Sequence, residues 1–470
     1  LVIAVLGVAG GAPYWFGMQA ESLYNDKILP EIAKSGEFVV TKKSYDRGWL
    51  TSTAQTTLTL TGTSLSITIT NRIQHGPIPL EGDLELRPVL ARVKTQATLD
   101  APGAMRLPPL TGQTTFNLDG SSTSTFSVAA LNNTLATGTV ISWQGLTGDA
   151  TMSADFKHIT AKMLSPMLQI TSGDDKLLLT KATLSTDLKE GASGLRTGSW
   201  NYSVEKIGVE GLNGKTAMSG LALTSMTTET AGILSSSLDV KVQSWGDGVT
   251  SYGPGMIGLK LRNLDAATLV KFRKDIQALE AKNLPPEQLP SLMMGKMLEF
   301  ATNIAKKSPE LEISKISLNM KDGEITGRGK LVLDGSKGDI SENPLMALRA
   351  ISGEGELVIP QGALRALTAL DLGRQVESYK ALGKFSETEA KKLTPQKVSE
   401  IAQAAAPQYV ERYARSLKLV PQGDNYRIDV ALAGGQLMLN GIPLGQEPPP
   451  PPPPEKTKAK AKAPAKKKSK

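Results

Sequence analysis

From Gln55 onward apolar residues recur at every second position with Thr or Ser between them: Leu58 and Leu60, then Leu65, Ile67 and Ile69. A period of two places them on one face of a β-strand. The pattern returns at Phe116 and Leu118, Phe126 and Val128, Met152, Ala154 and Phe156, and Leu184 and Leu188. It runs on through Trp200, Tyr202 and Val204, through Leu238, Val240 and Val242, and through Ile257, Leu259 and Leu261. Asp119-Gly120, Ser172-Gly173-Asp174-Asp175, Asn213-Gly214 and Trp245-Gly246-Asp247-Gly248 supply turn signals between the runs. Strands of about ten residues at this spacing predict an antiparallel meander. No helical stretch long enough for a crossover interrupts it, which disfavours parallel topology. One face of each strand is apolar and the other rich in Ser and Thr, so something must cover the apolar side: the sheet itself, helices, a partner or lipid.

After Asp265 the period lengthens. Leu269, Phe272, Ile276 and Leu279 predict a helix over Asp265–Lys282, and Ser291–Lys307, with Met293, Met294 and Met297, predicts a second. Strands are expected again at Leu311–Met320 and Ile325–Leu333 across Asp322-Gly323, and at Gly353–Pro360. Gln361–Lys392 reads as helical, with Ser386 and Glu389 spaced as a capping box. A further helix starts at Thr394-Pro395 and meets a breaking or kinking Pro407. A hairpin over Tyr426–Asn440 closes the folded part.

The fold class expected is therefore α+β, mainly β: a long antiparallel meander with helical inserts and an N-terminal transmembrane helix. Leu1–Met18 carries no charge, and Tyr14, Trp15 and Phe16 suit an interfacial belt at its exit. A cleaved signal segment and a buried helix are the alternatives. Few basic residues follow it, which favours export of the bulk of the chain. The divisions expected are an anchor over 1–18, a β domain over 19–264, a helical insert over 265–310, an α+β region over 311–445 and a Pro- and Lys-rich tail over 446–470.

Net charge is +8, yet Glu455–Lys470 alone holds eight Lys and one Glu, which leaves the body near neutrality. The body thus lacks the basic footprint of a nucleic-acid binder. Pro448–Pro454 forms a polyproline rod ahead of that tail. Cysteine is absent, which removes disulfides, thiolate zinc sites and a cysteine nucleophile. His75 and His158 are the only histidines, too few for a histidine metal cluster. Gly211-Leu212-Asn213-Gly214-Lys215-Thr216 imitates a phosphate loop but has Val209 where the motif needs glycine. No catalytic residue, cofactor site or metal site is expected.

Two short motifs remain. Ser44-Tyr45-Asp46-Arg47-Gly48-Trp49-Leu50 precedes the first Ser/Thr-rich strand, and His75-Gly76-Pro77-Ile78-Pro79-Leu80 follows the next. In order and spacing they resemble the YdgA/YihF-like family of bacterial envelope proteins, a domain of unknown function, and the similarity spans about residues 1–445. The resemblance implies a single-pass inner-membrane protein with its bulk in the periplasm and no assigned chemistry. At fold level the one-sided meander also resembles AsmA-like envelope lipid-transfer proteins. Tyr45, Arg47, Gly48, Trp49, His75, Gly76 and Pro77 are read as a structural lock at the first hairpin or as a docking patch. The function expected is non-enzymatic: shielding of a lipid or other apolar ligand along the sheet. The alternative is a scaffold for another envelope protein or for cell-wall polymer.

Overall fold

The computed structural model describes the backbone of residues 2–34, 38–79, 87–100, 106–211, 214–247, 250–280, 289–337 and 349–444, and their side chains except at 2–11, 31, 34, 280 and 337. The chain opens with helix α1 (Val2–Ser22), a π-helical turn (Leu23–Ile28) and α2 (Leu29–Lys34). Strands β1 (Phe38–Arg47), β2 (Thr51–Leu60), β3 (Ser66–His75), β4 (Ala91–Asp100), β5 (Leu110–Phe116) and β6 (Ser122–Val128) follow. Short β7 (Leu131–Thr134) and β8 (Val140–Trp143) precede β9 (Leu146–Met152). The longest strands come next: β10 (His158–Ser172), β11 (Asp175–Glu190), β12 (Arg196–Gly211) and β13 (Gly214–Thr230). Then come β14 (Ile233–Val242), β15 (Ser244–Gly246), β16 (Ser251–Tyr252) and β17 (Gly255–Asp265).

Helices α3 (Ala266–Glu280) and α4 (Leu289–Ala305) separate β17 from β18 (Glu310–Met320), and β19 (Gly323–Leu333) and β20 (Ile351–Pro360) continue the sheet. Helices α5 (Gln361–Ala381), α6 (Glu387–Lys392) and α7 (Pro395–Ser416) come before β21 (Val420–Gln422), β22 (Asn425–Ala433), β23 (Gln436–Leu439) and β24 (Ile442–Pro443).

Among the described residues these strands form one 24-stranded sheet, and every pairing in it is antiparallel. It is a meander. From β1 to β6 each strand pairs with its successor, β6 pairs with β9, and β9 through β14 again pair in sequence order. β14 then pairs with β17, and the order runs through β18, β19 and β20 to β22. The small strands fill ends: β8 lies beside the C-terminal half of β10 and β15 beside the N-terminal half of β13.

Among the described residues three separate clusters of buried apolar side chains hold this sheet. Near the N-terminus Ala20, Tyr24 and Leu29 pack on Ala54, Ile73 and Ala91. At the other end Ala363 and Leu364 of α5 and Ala414 of α7 pack with Tyr252, Met320, Ile325 and Ile359. At the opposite end of β19 and β20 from that cluster, Ala305 of α4 meets Ala350, with Leu333 against the pair.

Several expectations need correction. The anticipated transmembrane helix is not supported: among the described residues no helix is long and apolar enough to cross a membrane. The helix does not end at Met18 but continues to Ser22, and its second half is used against the sheet, where Gly17 and Ala20 are buried. The Tyr14 ring lies 5.3 Å from that of Trp49. The strand expected through Ala154 and Phe156 stops at Met152. There the Asp155 carboxylate accepts from Ser153 Oγ and the Lys157 amide, closing a turn with Phe156 at φ 62°. Trp245 belongs to a short strand, not to a turn.

Gln361–Lys392 is two helices, not one. Gly383, at φ 65°, ends the first, and the Ser386–Glu389 capping box starts the second. Pro407 does not break α7, whose buried face of Val398, Ala402, Ala406 and Ala414 keeps it continuous. The proline rod and lysine tail lie outside the described residues.

Candidate functional site

The seven motif residues converge where the N-terminal helix meets the first three strands. Gly48 sits in the β1–β2 connection, its amide donating to the Thr51 carbonyl at 2.8 Å, and a Cβ there would stand 2.7 Å from that oxygen. The turn throws Trp49 onto Tyr14 of α1. Arg47, at the end of β1, donates to Glu21 Oε2 at 2.7 Å and to the Tyr14 hydroxyl at 3.2 Å, and its guanidinium lies 5.0 Å from the centre of the Tyr14 ring. Charge pairing and cation–π contact therefore act on one helix from one side chain. Tyr45, two residues earlier on the same strand face, packs against Tyr24 with ring centres 5.7 Å apart. Burial beside Glu21 pushes its phenol pKa up, so it stays neutral.

His75 ends β3 and is 2 % exposed. Its Nδ1 lies 3.1 Å from the Trp49 carbonyl and its Nε2 lies 2.8 Å from Ser52 Oγ. A carbonyl only accepts, so Nδ1 carries the proton and Nε2 accepts from the serine hydroxyl. Burial pulls the imidazole pKa below 6.5, against the opposing pull of the Trp49 and Pro13 carbonyls. The ring also forms the seat for α1: a Cβ on Gly17 would come within 2.5 Å of it. Gly76 is equally constrained, since a Cβ would fall 1.9 Å from the Val89 carbonyl. Its amide donates to the Leu90 carbonyl, and Pro77, joined by a cis bond, accepts from the Val89 amide. The histidine is thus spent on neutral hydrogen bonds inside a buried contact. The arrangement fastens a helix to a hairpin.

The larger feature is the sheet face to which that helix is fastened. Cross-strand register assigns residues to faces, because directly paired residues point the same way. One row runs Met163, Leu184, Tyr202, Leu223, Val240, Ile257 and Ile316, from β10 across to β18. Flanking rows on the same face hold Trp200, Leu238, Leu259 and Ile313, and then Leu261, Leu311 and Leu331. Toward the N-terminus the same face passes through Met152 and Phe126 to Phe116, Val93, Ile73 and Ala54.

Helices pack on the two ends of this face, with the N-terminal segment over β1–β5 and α5 over β19 and β20. In between, the apolar rows are only half-buried, and Ile257, Leu261, Leu311 and Leu331 are exposed. The opposite face is charged. Arg262 pairs with Glu310 at 2.9 Å and Glu312 at 2.7 Å, Lys330 with Glu310 at 2.8 Å, and Arg427 with Glu356 at 3.0 Å and Asp429 at 2.7 Å. Such a face belongs in water.

The chain matches a bacterial protein family of unknown function, DUF945, over residues 1–445. It belongs to that family. DUF945 membership agrees with the envelope family suggested by the two motifs only at the level of a family without assigned function; it does not single out the YdgA/YihF-like proteins. No curated protein and no solved structure matches the chain. Within this DUF945 chain, sequence reasoning found the motif residues and most of the apolar rows. It missed Gly17, Glu21, Tyr14 and Ser52 as the motif's partners. Ser52 carries no signal at all among the Ser and Thr residues of β2.

Proposed function

We propose that the protein binds lipid hydrocarbon along the open stretch of its apolar sheet face and acts as a lipid-shielding protein of the bacterial envelope, without catalysing a reaction. The single observation that carries this reading is the row Met163–Leu184–Tyr202–Leu223–Val240–Ile257–Ile316, apolar on strand after strand and partly open to solvent in every one. Contiguous apolar surface on this scale marks an interaction site. The charged cross-strand pairs behind it support a sheet with one wet and one greasy side rather than the inner layer of a sandwich. Arg47-Gly48-Trp49 and His75-Gly76-Pro77 support placing the chain among YdgA/YihF-like envelope proteins, with the periplasm as its compartment. Fractionation of cells expressing the protein tests that location.

The binding test is mass spectrometry of the full chain purified without detergent. Phospholipid at a fixed stoichiometry is expected, and it should be lost from Tyr202→Asp and Leu223→Asp proteins whose circular dichroism is unchanged. A folded wild-type protein free of lipid would overturn the reading and leave a protein-binding scaffold as the better account of the face.

A further inference from the structure

A cavity of about 220 Å³ lies under the N-terminal helical segment, between Leu23, Tyr24 and Ile28 on one side and Ile69, Val93 and Phe116 on the other. Its floor is the same sheet face described above. Thr114 and Phe116 of β5 pair with Ser124 and Ser122 of β6, and the row containing Phe116 runs on to Met152 and Ile159. The cavity is therefore the roofed end of the apolar strip whose middle is open.

The few polar groups in its wall bond to one another or to a neighbouring hydroxyl. The Tyr24 hydroxyl bonds Thr56 Oγ1, Thr95 Oγ1 donates to Asn71 Oδ1 at 2.7 Å, and Thr114 Oγ1 and Ser124 Oγ share a bond of 2.9 Å. An entrant with its own hydrogen-bonding group would compete with these bonds and would lose its water. An apolar void of about 150 Å³ already stays dry and accepts benzene, whereas whole-ligand pockets run to roughly 300–1,000 Å³. The space suits a length of hydrocarbon and excludes a head group.

We propose that this cavity is the terminal pocket for one alkyl chain, receiving the methyl end of a lipid whose remaining length lies on the open rows. The inference rests on the lipid reading above, and the test separates the two. The full-length protein is photolysed with palmitic acid carrying a diazirine at its last carbons, and in parallel with palmitic acid carrying one at mid-chain; labelled peptides are then mapped.

The terminal probe is expected to label residues 23–32 and the facing strands, and the mid-chain probe to label β6 and β9, the next strands along the same face. In Ile28→Phe, which narrows the cavity from its rim, terminal labelling there should fall several-fold at unchanged melting temperature. Terminal labelling confined to the open rows would overturn the pocket and leave lipid binding intact. Absence of labelling with both probes would overturn both. Because the wild-type map alone decides between these results, the test does not depend on the variant folding.

Discussion

Burial disfavours a charged imidazole at His75 more than the Trp49 and Pro13 carbonyls favour one, so His75 makes the molecule sensitive to acid. The unfolded chain takes up that proton near pH 6.5, and the folded chain only at lower pH. Its contribution to stability is therefore complete above pH 6.5 and is lost as pH falls through the depressed folded value. Melting curves between pH 7 and 5 should show a steeper loss in wild type than in His75→Gln; parallel curves would mean that His75 is not the titrating group. Gly17, pressed on the same ring, gives a second prediction. Gly17→Ala must displace the imidazole or the helix, at a cost of roughly 1–3 kcal/mol, read as a lower urea midpoint. Both effects were half legible in the sequence. His75-Gly76-Pro77 stands out as a motif, but its partners lie elsewhere in the chain. Ser52 and Thr56, buried under the helix, look like the solvated hydroxyls of any Ser/Thr-rich strand. Alternation identifies which residues share a face; it is blind to a polar residue turned inward to meet a particular partner.

At the scale of elements, the strands were readable because each carries its own period-two signal, and their observed register stacks those separate sets onto one face. The helices were less so. Gln361–Lys392 has helical composition throughout, and only Gly383, in the left-handed region at φ 65°, divides it. The capping box at Ser386 was legible, and there the reading held. Ser386→Ala should remove about 1 kcal/mol from the short α6. Because α6 has no buried residue, the amides of Glu387–Lys392 should exchange with solvent several-fold faster while global unfolding stays where it was. A global shift would show α6 to be part of a core. The first helix was only partly legible for a related reason. Its lack of charge suited a membrane, whereas what decides the place of its second half is a set of contacts to Arg47, Trp49 and His75 that no local pattern announces.

The whole molecule has apolar clusters at separate places along a sheet, joined by strands that touch only their neighbours. This architecture approaches a linear array, in which stability is a sum of local terms rather than one all-or-none quantity. Leu364, 2 % exposed in the C-terminal cluster, is the probe. Leu364→Ala is expected to cost about 2–5 kcal/mol and to lower one transition in a calorimetric scan while leaving another, carried by the N-terminal cluster, in place. A single transition shifted as a unit would show that the long strands couple the ends.

The neighbour-to-neighbour order of those strands also bears on how the chain is made. Almost every pairing is between segments close in sequence, so a newly synthesised strand finds its partner already present and never waits for a distant one. Loop closure is short at most steps, the β17–β18 and β20–β22 connections through the helices being the exceptions, which eases the kinetic handicap usual for proteins rich in β-structure. The sheet can lengthen at the pace of translation, and until the next strand arrives a single growing edge is what the cell has to protect.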